Sequence, residues 1–208
     1  TNYNASVEFY FAPESVAAVS VFYKDIEEFI ENDAAIERQF NTISVTNPAT
    51  FANLVATGAC STDGFCNYSV QRPRNAGKGE IKGFNLSYQQ PFSDTGFGIV
   101  ANYTFADGET AAGNDLPFQS ESQYNISPYY EKDAFSARVT YGWRSEYLAG
   151  GFVAGAAPVS VDAYADLGLS LGWKFNEMLQ LNADAQNLLD EEYFQYFGAE
   201  SQPANLYK

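Results

Sequence analysis

Apolar and polar side chains alternate with a period of two along most of the chain, and sustained helical periodicity is nearly absent. Val7, Phe9 and Phe11 alternate with Ser6, Glu8 and Tyr10, and Ala-Pro-Glu-Ser then makes a tight turn. A second strand runs through Val19, Val21 and Tyr23, as far as Ile30, with Phe22 blurring its two faces. Phe84, Leu86 and Tyr88 oppose Asn85, Ser87 and Gln89. Phe97, Ile99, Ala101, Tyr103 and Phe105 oppose Gly98, Asn102 and Thr104. Tyr124, Ile126 and Tyr130 oppose Gln123, Asn125 and Ser127, and Pro128 removes one ladder bond. The same alternation runs through Phe135–Arg144, Asp166–Trp173 and Leu179–Gln186. This makes eight strands of roughly 9–13 residues, the length a tilted membrane-spanning strand needs.

The connections alternate as well. Turns at 12–15, 90–95, 131–133 and 174–177 are short. The stretches 31–78, 106–118, 148–161 and 190 onward are longer and rich in Gly, Asp, Asn and Ser. Within the first of these, Pro48–Ala56 predicts a short helix after Asn47. Short turns on one rim and long loops on the other are the asymmetry of outer-membrane barrels. Aromatic residues gather at both rims: Phe92, Phe97, Tyr130, Phe135, Trp173 and Phe175 beside the turns, and Tyr103, Phe105, Tyr124, Tyr141 and Trp143 near the loops. A soluble β-sandwich also alternates. Here, however, the polar partners are mostly small and hydroxylic rather than charged, which favours a barrel wall in lipid.

Composition narrows the function. The 208 residues carry 26 Asp+Glu against 11 Lys+Arg, which argues against a nucleic-acid partner, since phosphate binding needs clustered cations. There is no histidine, which removes Ser-His-Asp and Cys-His catalysis and His-ligated zinc, so no enzyme activity is expected. No cofactor is expected either. The carboxylate run Asp25, Glu27, Glu28 and Glu31 reads as a solvated rim rather than a catalytic pair. The stretch Asp107–Asp115 lacks the spacing of a calcium loop, and no metal site is expected. Cys60 and Cys66 share one polar loop and read as a disulfide clip of an oxidising compartment. Thr1 follows no start methionine or signal peptide, so the chain reads as a mature or excised piece.

At several places the residues resemble a known family. Residues 74–92 read RNAGKGEIKGFNLSYQQPF, and GFGIVANYTFAD follows at 96–107. The stretch LQLNADAQNLLDEEY at 179–193, a strand of small apolar residues leading into Asn-Leu-Leu-Asp-x-x-Tyr, looks like the penultimate strand of TonB-dependent outer-membrane receptors. With NISPYYEKDAFSARVTYGWRSEYL at 125–148, the glycine-rich stretch is similar to the proteobacterial subgroup linked to carbohydrate uptake. The resemblance implies an all-β fold: an antiparallel transmembrane β-barrel of the bacterial outer membrane, with 22 strands around an N-terminal plug. Residues 1–208 would then be a partial barrel, about strands 14–21, with the plug and last strand absent. Its partners would be lipid and lipopolysaccharide outside, the plug within, the TonB complex acting through that plug, and a small-molecule solute. The implied function is energised import of a carbohydrate-like nutrient. The alternatives are a ferric-siderophore receptor and a stand-alone small barrel acting as an adhesin or structural porin.

Two residue sets follow. Lys82, Asn85, Gln89, Asn102, Arg138, Asp166, Asn182 and Asp184 are expected to face the lumen and the plug. Ligand capture falls to the long-loop rim: Phe65, Tyr68, Arg72 and Arg74 near the cysteine clip, Arg144 and Tyr147 at the top of another strand, and Tyr193 and Tyr196 in the last loop. Aromatic faces beside amide, carboxylate and guanidinium groups suit a polar ligand.

Overall fold

A computed structural model describes residues 1–28, 30–75, 77–111, 113–149, 159–197 and 203–207. Eight strands build one antiparallel sheet. In spatial order they are β1 (Asn2–Ala12), β2 (Ser15–Glu27), β5 (Lys78–Pro91), β6 (Phe97–Thr110), β7 (Ser122–Lys132), β8 (Phe135–Arg144), β11 (Tyr164–Lys174) and β12 (Gln180–Ala185). These are the eight strands that the alternation predicts. Among the described residues β1 and β12 each have one neighbour, so this sheet does not close on itself.

The register shows why the alternation is so regular. One row across seven strands reads Val7, Val19, Leu86, Tyr103, Tyr124, Trp143 and Ala165. The next row reads Glu8, Ala18, Ser87, Asn102, Asn125, Gly142 and Asp166, and the one after it Phe9, Ala17, Tyr88, Ala101, Ile126, Tyr141 and Leu167. Successive residues point to opposite faces, so one face of the sheet is apolar and the other polar. The apolar face is not covered: Val7 is 73% exposed and Phe9 65%. Among the described residues the buried apolar side chains are Cys60, Cys66, Leu116, Val161 and Tyr196, all on the long-loop side. A sheet that keeps its apolar face outward and has no core of its own is a barrel wall built for lipid.

Three local features tie sequence to this wall. Phe22 lies on the polar face, where its ring packs over Gly83 on β5; a Cβ at 83 would come within 2.7 Å of the Phe22 Cζ. Pro128 leaves a gap in the β7–β8 ladder between Ile126↔Tyr141 and Tyr129↔Arg138. The Ser127 hydroxyl fills it from the side, donating to Thr140 Oγ1 at 3.1 Å. Aromatic pairs brace both rims: Phe97–Tyr130 at 4.7 Å and Trp173–Phe175 at 4.7 Å near the turns, Tyr124–Trp143 at 5.4 Å near the loops.

The long polar excursion is not an irregular loop. β3 (Ile30–Phe40) and β4 (Phe65–Asn75) pair along their full length, and two helices, α1 (Ile43–Thr46) and α2 (Pro48–Ala56), fill their tip. α2 starts as expected, with Asn47 Oδ1 accepting from the Thr50 N–H at 3.2 Å and Pro48 in the first turn. The last loop is also corrected. β13 (Tyr193–Phe197) and β14 (Pro203–Tyr207) join β9 (Tyr147–Ala149) and β10 (Val159–Val161) in a four-stranded sheet beside the wall.

Candidate functional site

Arg144 is the last residue of β8, on the polar face, and faces Tyr164, the first residue of β11. The chain then turns through Ser145 and Glu146 into β9, which brings Tyr147 back over the guanidinium. β13 pairs with β10 and delivers Tyr193 to the same place. The Arg144 Cζ lies 4.8 Å from the Tyr147 ring centroid, 5.6 Å from that of Tyr193 and 5.7 Å from that of Tyr164. Its Nη1 donates to the Asp162 carbonyl at 2.9 Å and to the Ser145 carbonyl at 3.3 Å. Among the described residues no carboxylate comes within ion-pair distance, so its charge stays uncompensated.

A second layer of tyrosine bonds closes around this cage. The Tyr147 and Tyr193 hydroxyls meet at 2.9 Å, and the Tyr196 hydroxyl donates to Glu146 Oε2 at 2.8 Å. Tyr196 is buried, and that burial, with the Glu146 carboxylate beside it, raises its phenol to about 12. Next to the cage lies a cavity of about 300 Å³, lined by Asp115, Gln119, Glu121, Ser145, Glu146, Tyr147 and Ser160 among others. Arg144, Tyr147, Tyr193 and Tyr196 therefore come together, although 45 or more residues separate the first pair from the second. Sequence reasoning missed Tyr164, Glu146's anchoring bond and Asp162. Tyr164 had a usable signal, since it opens a strand whose polar face adjoins that of β8.

The other ligand candidates form a separate cluster in the β3–β4 hairpin, where other contacts already occupy them. Arg72 holds the Glu37 carboxylate in a bidentate pair, its Nε donating to Oε1 at 2.8 Å and its Nη2 to Oε2 at 2.9 Å, and that carboxylate raises the Arg72 pKa. The Phe65 ring packs edge-on against Phe40 at 5.6 Å and carries the Arg38 guanidinium at 4.9 Å. Tyr68 accepts a hydrogen bond from Asn41. Ser61, then Arg38, hold the Asp63 carboxyl below its usual value. Cys60 and Cys66 form the disulfide, and both are buried beneath this cluster. The Arg74 side chain lies outside the described residues.

Strand parity sorts the wall residues. Asn85, Gln89, Asn102, Arg138, Asp166, Asn182 and Asp184 all lie on the polar face. Lys82 does not. It shares a row with Tyr23 and Asp107 on the outward face and pairs with Asp107 at 3.3 Å. The outward face turns polar above the aromatic rim, so a charged residue there is no sign of the lumen. Among the described residues no cluster of metal-binding side chains is found.

The profile of the family described as "TonB dependent receptor-like, beta-barrel" matches residues 1–188. No curated protein sequence matches the chain. Among solved structures it is similar to the ferric-catecholate import receptor Fiu of Escherichia coli K12, with 16% identity and a TM-score of 0.61 over 93% of this chain and 24% of that one. It is also similar to the ferric enterobactin receptor PfeA of Pseudomonas aeruginosa, with 19% identity and a TM-score of 0.64 over 92% of this chain and 26% of that one. The siderophore receptor PirA of Acinetobacter baumannii gives 18% identity and a TM-score of 0.62 over 92% of this chain and 27% of that one. At these identities the likeness is one of fold, and the chain spans about a quarter of each. Lipid-facing rows, two aromatic rims and the profile match agree: the chain belongs to the TonB-dependent receptor β-barrel family of the bacterial outer membrane.

Proposed function

We propose that the whole protein is an energised outer-membrane receptor that imports a ferric chelate of the siderophore class. This chain would be about strands 14–21 of its 22-stranded wall. A plug would fill the lumen, the TonB complex would act on that plug, and lipid with lipopolysaccharide would cover the outward rows. The observation that carries the cargo is Arg144: an uncompensated cation at the loop rim, on the polar face, framed by three tyrosine rings. Such a frame suits a planar oxyanion with aromatic character, as catecholate and related iron ligands have. The solved neighbours, receptors for ferric catecholate, ferric enterobactin and siderophore, support the same choice.

Carbohydrate import is the second reading. The cavity beside the cage offers carboxylates, an amide, hydroxyls and the Tyr147 ring, the groups that hold a neutral polyol.

Growth of iron-starved cells on a ferric chelate separates the two. The full-length receptor is expected to support that growth only with TonB, and Arg144→Ala to lower apparent affinity for the chelate. Uptake of a neutral oligosaccharide, with no response to any ferric chelate, would give the assignment to the second reading.

A further inference from the structure

Phe118 departs from its local rules twice. Its φ of 64° places a bulky aromatic residue in the left-handed region, and it is 71% exposed. The segment around it is pinned at five points. The Leu116 N–H donates to the Gly108 carbonyl at 2.9 Å, and the Phe118 N–H to the Leu148 carbonyl at 2.7 Å. The Gln119 amide donates to the Ala106 carbonyl at 2.8 Å and the Ser120 hydroxyl to the Ser145 carbonyl at 2.9 Å. The Ala106 N–H donates to the Glu121 carbonyl at 2.8 Å. These bonds hold the strained backbone fixed, so the ring is displayed in one place.

Two glycines show which side the ring is on. Leu116 packs over Gly79, and a Cβ at Gly108 would meet the Gln119 amide. Gly79 keeps step with Asn85 on β5, and Gly108 with Thr104 on β6, so both lie on the polar face. The segment 115–121 therefore folds inward at the loop rim, away from lipid, and membrane anchoring does not account for the ring. Leu148, which holds the Phe118 N–H, follows Tyr147, whose ring covers Arg144. The cavity of about 300 Å³ has Leu116 and Gln119 on one side and Tyr147 and Leu148 on the other.

We propose that Phe118 is a specificity residue for the cargo: its ring stacks on an aryl group of the chelate whose oxyanion pairs with Arg144. The inference rests on the receptor reading above and narrows it to chelates built on aromatic rings. An apolar ring left in water gains when a flat partner covers it, and a backbone fixed beforehand loses no freedom in doing so. A neighbouring loop of the same barrel is the competing occupant.

The test offers cells carrying the full-length receptor the radiolabelled ferric complexes of a tris-catecholate and of a tris-hydroxamate. Surface level and melting temperature, read from heat-modifiable migration, are followed for every variant. Phe118→Ala removes the ring alone, and Phe118→Gly removes the ring and the strain together. Both are expected to raise the KM for the catecholate about three- to tenfold, with hydroxamate uptake unchanged. Phe118→Tyr is expected to keep the wild-type KM. Phe118→Gly is expected to melt at or above the wild-type temperature, because glycine adopts positive φ freely. A wild-type KM for the catecholate in Phe118→Gly overturns the proposal. So does a lower melting temperature with both complexes affected alike, the mark of a packing contact with a neighbouring loop. Wild-type cells that take up neither complex overturn the receptor reading, and this inference with it.

Discussion

Glu28 and Gly77 stand opposite each other in a register that is unchanged on both sides of them, Glu27↔Lys78 before and Ile30↔Asn75 after. Both have positive φ, 58° and 88°. β3 and β4 are therefore the continuation of β2 and β5, one hairpin that leaves the wall through a break with a left-handed residue on each strand. Beyond the break the ribbon runs 11 residues per strand, or about 36 Å at the usual rise.

Gly77 is the conformational key to that break. Nothing lies within 4 Å of a Cβ at 77, so a side chain there meets only backbone strain. Gly77→Ala should destabilise the ribbon by about 1–2 kcal/mol. Limited tryptic proteolysis after Arg38 should speed up while the eight-stranded sheet stays protected.

The disulfide fixes the tip of the same ribbon. Closing its short loop is worth about 2 kcal/mol on the chain-entropy scale, so Cys60→Ser with Cys66→Ser should loosen α1 and α2 without unfolding the wall. Hydrogen exchange of Thr50 and Asn53 is the local readout. The non-reduced, denatured protein should carry no free thiol, and a count of two would contradict the bond.

Tyr196 predicts an alkaline transition. Its folded pKa, about 12, lies above the ordinary phenol value near 10, because burial and the Glu146 hydrogen bond favour the neutral form. The linked stability is complete below pH 10 and disappears as the pH rises through 12. Tyrosinate absorbance should show a late-titrating component that shrinks in Tyr196→Phe, and the β9–β10–β13–β14 sheet should open over the same range.

Within the Arg144 cage, charge and stacking can be separated. Arg144→Lys keeps the cation but loses the flat guanidinium, and should recover only part of the chelate affinity lost in Arg144→Ala. Each ring contact is worth about 0.5–1 kcal/mol at a half-exposed site, so Tyr147→Leu and Tyr193→Leu should each weaken binding by a few-fold.

The wall was readable because lipid on one side and a polar lumen on the other impose a strict two-residue period. The period failed where that contrast ends. β3 and β4 expose apolar residues such as Ile36 (78%) on one face and charged Glu37 and Arg72 on the other, and interruptions such as Ala35 and Pro73 hide the alternation. Lys82 shares the strand parity of Phe84 and Leu86, and that parity, rather than its charge, sets the face it lies on. Arg72 looked available to a ligand because its partner Glu37 is 35 residues away, beyond any local pattern. Arg144, Tyr147, Tyr193 and Tyr196 were individually visible as rim aromatics and a cation. That they meet depends on the β10–β13 pairing of three residue pairs, too short to read from alternation.

The central claim is that this chain is a barrel wall with one face in lipid. Spin labels placed singly at the neighbouring positions Leu86 and Ser87 of the full-length receptor in bilayers test it most directly, by collision with oxygen and with a water-soluble relaxation agent. The account predicts that the label at 86 meets oxygen in the acyl chains and that the label at 87 does not. Equal accessibility at the two positions, or the reverse order, would contradict it.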